Sequence, residues 1–249
     1  MNVIYILIII IIISLIISSM KVSIISNNDL FSKYLKGKNI IIVGPADYVN
    51  NGELIDNYDV IVRVNRGHNM IKNPQKFGGR TDILYHCVSQ DHESGGKIPE
   101  DKNIKFIKFV FPMKKCQFWN PESNKLFNNI NIKNNMLTVE HKKYLDFENK
   151  LNTRPNAGTT AIWDILNYDI KSLHITGFTL FQSNYSKLYR DKTYGHSANT
   201  GDAALKAMRR TGNHNQKSMA EYYLDDVITD KRVTYDKEFL DGINKTLSN

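Results

Sequence analysis

Read as a pattern of apolar and polar positions, the chain opens on a near-continuous apolar run, Val3 to Ile17 (VIYILIIIIIISLII), and then changes character. A polar stretch rich in Ser, Asn and Lys follows, and short apolar runs punctuate the rest. Asn39–Val43, Tyr58–Val64, Asp82–Val88, Ile104–Phe111, Ser172–Thr176 and Arg232–Tyr235 read as strands, being short, β-branched or aromatic and bounded by turn residues. Thr159–Asn167, Asp202–Arg210, Gln216–Ile228 and a segment from Asp236 read as helices. The Asn- and Lys-rich stretch from Leu126 to Lys150 has too weak a period to place.

Short apolar strands separated by helical segments predict an α/β fold: a Rossmann-like three-layer sandwich with a mostly parallel sheet covered on both faces. In such sheets ligands gather at the carboxyl ends of the strands. The division expected is a hydrophobic anchor over 1–20, a polar tether over 21–38 and one folded domain over 39–249.

As a helix the apolar run would be about 22 Å long, slightly short of a membrane core, a mismatch that bilayers tolerate. A signal peptide is the rival reading. It is weakened by the lack of a basic residue ahead of the run and by a poor small-x-small cleavage site in ISSMKVS. The expectation is therefore a single-pass membrane protein held through residues 3–19. Lys21, Lys33, Lys36 and Lys38 all follow the run, which places the folded domain on the cytosolic side by the positive-inside bias. The sequons Asn184-Tyr-Ser and Asn244-Lys-Thr argue the other way, in a chain where Asn is abundant everywhere.

Charge and cysteine usage narrow the chemistry. The formal net charge is +8, but the lysines are spread along the chain and no compact Arg-rich run with interleaved aromatics marks a nucleic-acid footprint, so none is expected as partner. Two cysteines, Cys87 and Cys116, exclude a four-sulfur zinc site and read as buried thiols. No Asp-x-Asp occurs anywhere, and no metal or other cofactor is expected.

Three short patterns stand at predicted strand ends. Val43-Gly44-Pro45-Ala46 ends the first strand, a place where glycine by itself more often makes a turn than a binding site. Arg63 and Asn65 alternate along the second strand and so share a face, where a guanidinium and a carboxamide need partners. Gly78-Gly79-Arg80-Thr81 is a glycine turn carrying a cation. Its plainer explanation is a salt bridge from Arg80 to Asp56 or Asp59.

In order, VGP, ID-x-x-D-x-I-x-R-x-N, GGRT, the distant PNAGTTAIWDILNYDIKSLHITGF and two spaced histidines resemble the sialyltransferases of glycosyltransferase family 29. Gly44 to Thr81 is similar to the large sialylmotif and Pro155 to Phe178 to the small one, together roughly half of the folded domain. The resemblance implies a GT-A-like variant of the fold and a donor, CMP-sialic acid, whose nucleotide is held by the large motif at Gly44 and Asn65. From the small motif it implies Asn156, Gly158 and Gly177, with Arg154 just before it. A helix start at Gly158 suits a phosphate. Pro45 replaces the family's usual asparagine, a role open to Asn50 or Asn51, and Asn156-Ala157 replace a hydroxyl pair. The family's inter-motif cysteines align with Ile40 and Ile170, so that bridge is absent, in keeping with a reducing compartment.

His214 begins HNQKSMAEYYL, similar to the very small sialylmotif but with Glu221 seven positions on rather than five, still one helix face. His196 lies near the place of the third motif's histidine, without its flanking residues. The implied reaction is direct displacement at the anomeric carbon by a hydroxyl of a glycan acceptor, with His214 as base. His196, Arg154 and the Gly158 amide would balance charge on the leaving phosphate. A transferase using another sugar nucleotide and a catalytically silent nucleotide- or glycan-binding relative are the alternatives. The acceptor is not legible in the loops Glu93–Lys102 and Lys114–Lys150.

Overall fold

The computed structural model describes residues 27–88, 95–112, 135–190 and 214–249. The apolar N-terminal run, Cys116, His196 and the predicted helix Asp202–Arg210 lie outside them. No helix among the described residues is long and apolar enough to cross a membrane.

Seven strands form one sheet: β1 (Asn39–Val43), β2 (Val60–Val64), β3 (Ile83–His86), β4 (Phe106–Phe109), β5 (Asn135–Thr138), β6 (Ser172–Thr176) and β7 (Val233–Tyr235). The order is β5-β4-β3-β2-β1-β6-β7 and every pairing is parallel. The fold is thus α/β and Rossmann-like. The chain winds outward from β1 through β5, returns to the other side of β1 as β6, and continues to β7. The winding reverses between β1 and β6.

β-branched runs such as NIIIV and VIVRV suit strands buried on both faces. Alternation divides them: Ile40, Ile42, Val60, Val62, Ile83 and Tyr85 enter one core, Ile41, Val43 and Ile61 a second, and Leu84 and Ile107 a third. The first core is covered by α1 (Asn27–Leu35), α4 (His141–Leu151), α5 (Ala157–Leu166), α6 (Gln216–Tyr222) and α7 (Lys237–Leu247). The second lies under α2 (Gly52–Asp56), a 3₁₀ segment (Asn65–Lys72) and α3 (Pro74–Phe77). Helical layers on both faces make the three-layer sandwich.

Three segments depart from the sequence reading. Residues 27–35, placed in the tether, form α1, and its Phe31 and Leu35 are fully buried. Burying one such ring contributes about 2–3 kcal/mol, so this helix belongs to the folded body. The stretch without a legible period contains β5 and α4, whose Tyr144, Phe147 and Leu151 form the buried stripe. The predicted helix Gln216–Ile228 keeps its α form only to Tyr222 and continues as a π-helical turn, Tyr223–Val227.

α4 leads toward the site by its ends. Glu140 caps its first turn by accepting from the Lys142 and Lys143 amides, and Asn152 stops it in the left-handed conformation, φ 49°. The chain then turns through Thr153–Asn156 into α5.

Candidate active site

The carboxyl ends of β1 and β6 are adjacent, at the point where the winding reverses. Gly44 leaves β1 with its N–H donating to the Thr176 carbonyl at 2.7 Å. A Cβ on Gly44 would stand 2.2 Å from the Gly177 carbonyl oxygen, and one on Gly177 would stand 2.7 Å from that of Gly44. Gly177 also has φ +77°, so two backbones cross here with no room for a side chain on either. The next residue, Phe178, lies where a Cβ on Gly158 would be, 2.5 Å from its ring. One aromatic ring thereby joins the ends of β1 and β6 to the first turn of α5.

The Gly177 peptide is held from outside the sheet. Its N–H donates to Asp236 Oδ2 at 3.1 Å and to the Tyr48 hydroxyl at 2.9 Å, while that hydroxyl donates to the same carboxylate oxygen at 2.7 Å. Burial, with Asp236 adding to it, raises the Tyr48 pKa far above the ordinary phenol value, so the hydroxyl keeps its proton. The other oxygen, Asp236 Oδ1, caps α7 by accepting from the Phe239 amide at 2.9 Å. The Gly177 amide is therefore committed within the fold to Asp236 and Tyr48.

β2 ends at Val64, and Asn65 takes a left-handed φ of 49°, so the alternation expected of Arg63 and Asn65 stops one residue short. Asn65 Oδ1 accepts from the Cys87 amide past the end of β3 at 2.9 Å, and the carboxamide also meets the Tyr189 hydroxyl. Arg63 is fully buried and donates to the carbonyls of Phe77 (2.6 Å), Gly78 (3.3 Å) and Arg80 (3.2 Å) and to Thr81 Oγ1 (3.1 Å). Burial pushes its guanidinium down to about 10, still a cation at neutral pH. Arg63 thus organises the GGRT turn. Arg80 pairs with Asp82 at 3.0 Å, whereas Asp56 accepts from the Gly79 amide and Asp59 from that of Asn39. The salt bridge expected there exists, with a different partner.

On the other side of Phe178, α5 begins. Asn156 caps it, Oδ1 accepting from the Thr159 amide at 2.9 Å. The first two amides of the helix, Ala157 and Gly158, have no intrahelical acceptor and carry the positive end of the helix dipole. α6 starts alongside: Asn215 caps it and donates its own N–H to Thr153 Oγ1 at 3.0 Å. One turn deeper, Thr159 Oγ1 meets the Tyr223 hydroxyl at 2.6 Å and Met219 Sδ at 3.2 Å, locking the two helices together.

His214 sits between these starts, half-buried, with Nδ1 2.7 Å from the Arg154 carbonyl. A carbonyl only accepts, so Nδ1 carries the proton and Nε2 presents its lone pair. Desolvation lowers the His214 pKa below the ordinary imidazole value; the Arg154 carbonyl works against this and the Arg154 guanidinium works with it. The Arg154 guanidinium lies 5.6 Å from the centre of the Phe111 ring. A neutral imidazole of fixed tautomer, beside a helix start, is equipped to take a proton from a hydroxyl.

The contacts therefore link Gly44, Gly177 and Gly158 through Phe178, and Arg154, Asn156 and His214 through the two caps. Asn65 lies at the ends of β2 and β3. Sequence reasoning missed Tyr48, Asp236 and Phe178. Asp236 was read only as the start of the terminal helix, and its partner at the end of β6 is 59 residues away in the chain. Among the described residues no three of His, Cys, Asp and Glu converge as a metal-binding group.

An open groove of about 490 Å³ lies elsewhere, lined by Trp163 and Leu166 near the end of α5, by Tyr222, and by Arg232 just before β7. Its Leu166 and Arg232 sit toward the amino ends of β6 and β7, and two of its ion pairs are closed, Lys150 with Asp226 at 2.5 Å and Arg232 with Asp230 at 2.7 Å, with Lys143 and Asp146 also along its wall. The chemistry described above is at the opposite edge.

No protein-family model matches the chain, and no curated protein sequence matches it. Among solved structures, a mammalian sialyltransferase in complex with Gal-beta-1-3GalNAc-ortho-nitrophenol is 13% identical, with 83% of this chain covering 71% of that one at a TM-score of 0.46. A second mammalian sialyltransferase structure is 14% identical over 81% of this chain and 69% of that one, TM-score 0.48. The sialyltransferase CstII from Campylobacter jejuni, in complex with a substrate analogue, cytidine-5'-monophosphate, is 13% identical over 80% of each chain, TM-score 0.45.

Proposed function

We propose that this protein is a glycosyltransferase that moves sialic acid from CMP-sialic acid to a hydroxyl of a glycan acceptor, with inversion and without a metal ion. The observation that carries the reading is His214: a neutral imidazole, fixed by the Arg154 carbonyl at 2.7 Å, beside the start of α5. Two further facts support it. The reversal of strand order between β1 and β6 is the place where open α/β sheets bind ligands. The segments that meet there, Gly44 and Pro155–Phe178, are those whose sequence resembles the sialylmotifs.

In this reading the nucleotide lies across the carboxyl ends of β1 and β2, near Gly44 and Asn65, with its phosphate at the Ala157 and Gly158 amides. The acceptor hydroxyl attacks the anomeric carbon while the bond from that carbon to the phosphate oxygen breaks. His214 Nε2 receives the hydroxyl proton as the new bond forms, and CMP leaves with the electron pair. Arg154 and the amides at the start of α5 balance its growing charge. His196, outside the described residues, is assigned the same task as an imidazolium. Residues 3–19 anchor the chain in a membrane, with the folded domain on the cytosolic face.

The test is to incubate the full-length protein with CMP-sialic acid, an oligosaccharide mixture and excess chelator, and to follow CMP release and sialylated product. Release that depends on His214 is expected. Turnover of UDP- or GDP-sugars instead would transfer the reading to another donor, and CMP binding without release would make the protein a silent relative.

A further inference from the structure

We propose that Asp236, acting with Tyr48, is a positioning residue for the nucleotide pocket: its carboxylate sets the orientation of the Gly177 peptide and thereby the seat of Phe178 on the start of α5. This rests on reading the junction of β1 and β6 as the nucleotide site.

The two carboxylate oxygens have separate tasks. Oδ1 caps α7 through the Phe239 amide at 2.9 Å, a contact that serves the fold of the C-terminal helix. Oδ2 points the other way and accepts from both the Gly177 amide at 3.1 Å and the Tyr48 hydroxyl at 2.7 Å. Tyr48 comes from the loop after β1, Gly177 from the end of β6 and Asp236 from the end of β7. One oxygen thus ties three loops at the carboxyl edge.

What it ties is a peptide with little freedom on its far side. Gly177 has φ +77° and crosses Gly44 with no space for a Cβ, so rotation of its peptide would displace both the Gly44 turn and Phe178. The Phe178 ring fills the space over Gly158 and approaches to 2.8 Å from where a Cβ on Gly44 would be. A tilt at Gly177 therefore alters the spacing between the β1 loop and the first amides of α5, the two walls between which the nucleotide would lie. No part of Asp236 needs to touch the ligand for this to matter.

The separation of tasks gives a selective substitution. In Asp236→Asn the carboxamide oxygen can keep the cap, since Asn caps helices as well as Asp does. Its NH₂ group then faces the Gly177 N–H, donor against donor, and the Tyr48 hydroxyl proton loses its acceptor. Tyr48→Phe leaves the cap untouched and removes the other half of the tie. Asp241→Asn, at the exposed partner of Lys237 on the same helix, is the control.

CMP titration by calorimetry and donor kinetics on the full-length protein decide the matter. Asp236→Asn is expected to weaken CMP tenfold or more and to raise the KM for CMP-sialic acid in proportion. The kcat at saturating donor should stay within threefold and the melt should stay cooperative. Tyr48→Phe should weaken CMP at least threefold, and Asp241→Asn should leave it unchanged. A folded Asp236→Asn protein that binds CMP within threefold of the parent overturns the proposal. If that variant does not fold, unchanged CMP affinity in Tyr48→Phe overturns it. A parent protein that does not bind CMP removes the underlying reading of the site, a result distinct from either.

Discussion

The Gly44 and Gly177 backbones cross so closely that a Cβ on the first would lie 2.2 Å from the carbonyl oxygen of the second. The obstacle is backbone in a central strand pair, which cannot swing aside as a flexible side chain does. Gly44→Ala should therefore destabilise the protein by about 2 kcal/mol or more. Gly177→Ala should cost at least as much, because its φ of +77° adds strain to the clash. Gly37 provides the contrast: it also has a positive φ, +67°, but a Cβ there meets nothing within 4 Å. Gly37→Ala should cost about 1–2 kcal/mol, the conformational penalty alone. Urea unfolding of the three variants checks the ranking; a Gly44→Ala protein as stable as the parent would contradict the crossing.

How far this junction was legible in the sequence depends on the range of the interaction. β1 and β6 appear with the bounds expected of them, because an apolar run between turn residues is a local signal. The glycines at their ends were legible as punctuation. That they abut one another was not, since 133 positions separate Gly44 from Gly177 and nothing local fixes the order of strands. β5 and α4 were obscured by Asn and Lys around a three-residue apolar stripe. His214 was singled out through a resemblance, while the tautomer that makes it interesting depends on the Arg154 carbonyl, 60 residues away.

A second long-range feature gives a stability prediction. Lys108, in the middle of β4, is buried with its Nζ 2.5 Å from Asp164 Oδ2 on α5 and 2.8 Å from the Tyr168 hydroxyl. The Tyr85 hydroxyl donates to the same Asp164 oxygen at 2.5 Å. Desolvation lowers the Lys108 pKa, and the Asp164 carboxylate opposes the shift. Removing one partner leaves the other charge buried, so Asp164→Leu or Lys108→Met alone should cost about 3–5 kcal/mol. The double variant should recover a large part of that loss, since it buries no lone charge. Unfolding midpoints for the full cycle measure it, and simple additivity would refute the account.

With His214 as the proposed base, the pH dependence of turnover has a definite sign. Its pKa lies below the ordinary value of about 6.5, mainly through desolvation, so the base is free at lower pH than an exposed imidazole would be. The acidic limb of kcat/KM for CMP-sialic acid should have its midpoint below that value. The sign for stability is the same: the native state binds fewer protons than the unfolded chain here. The contribution is complete above the unfolded pKa and is lost as pH falls through the depressed one. His68 and His174 are shifted in the same direction by burial, so the unfolding curve reports all three, whereas the activity limb is specific. His214→Ala should lose about 100- to 10,000-fold in kcat and lose the limb with it. An unaltered limb in that variant would assign the base elsewhere.

The start of α5 separates stability from binding most cleanly. Asn156 accepts from the Thr159 amide, and replacing it by Ala removes the cap at a cost of about 1 kcal/mol. Asn156→Asp keeps the cap, because a carboxylate accepts the same bond and also interacts favourably with the helix dipole. Stability should therefore be unchanged or slightly raised. A phosphate approaching the Ala157 and Gly158 amides would meet that new negative charge within the first turn. CMP affinity should fall by tenfold or more in Asn156→Asp, while cytidine, which has no phosphate, should bind as it does to the parent. Opposite movements of stability and CMP affinity in one variant cannot come from general damage to the fold. If Asn156→Asp is stable and binds CMP as the parent does, the phosphate does not lie at this helix start.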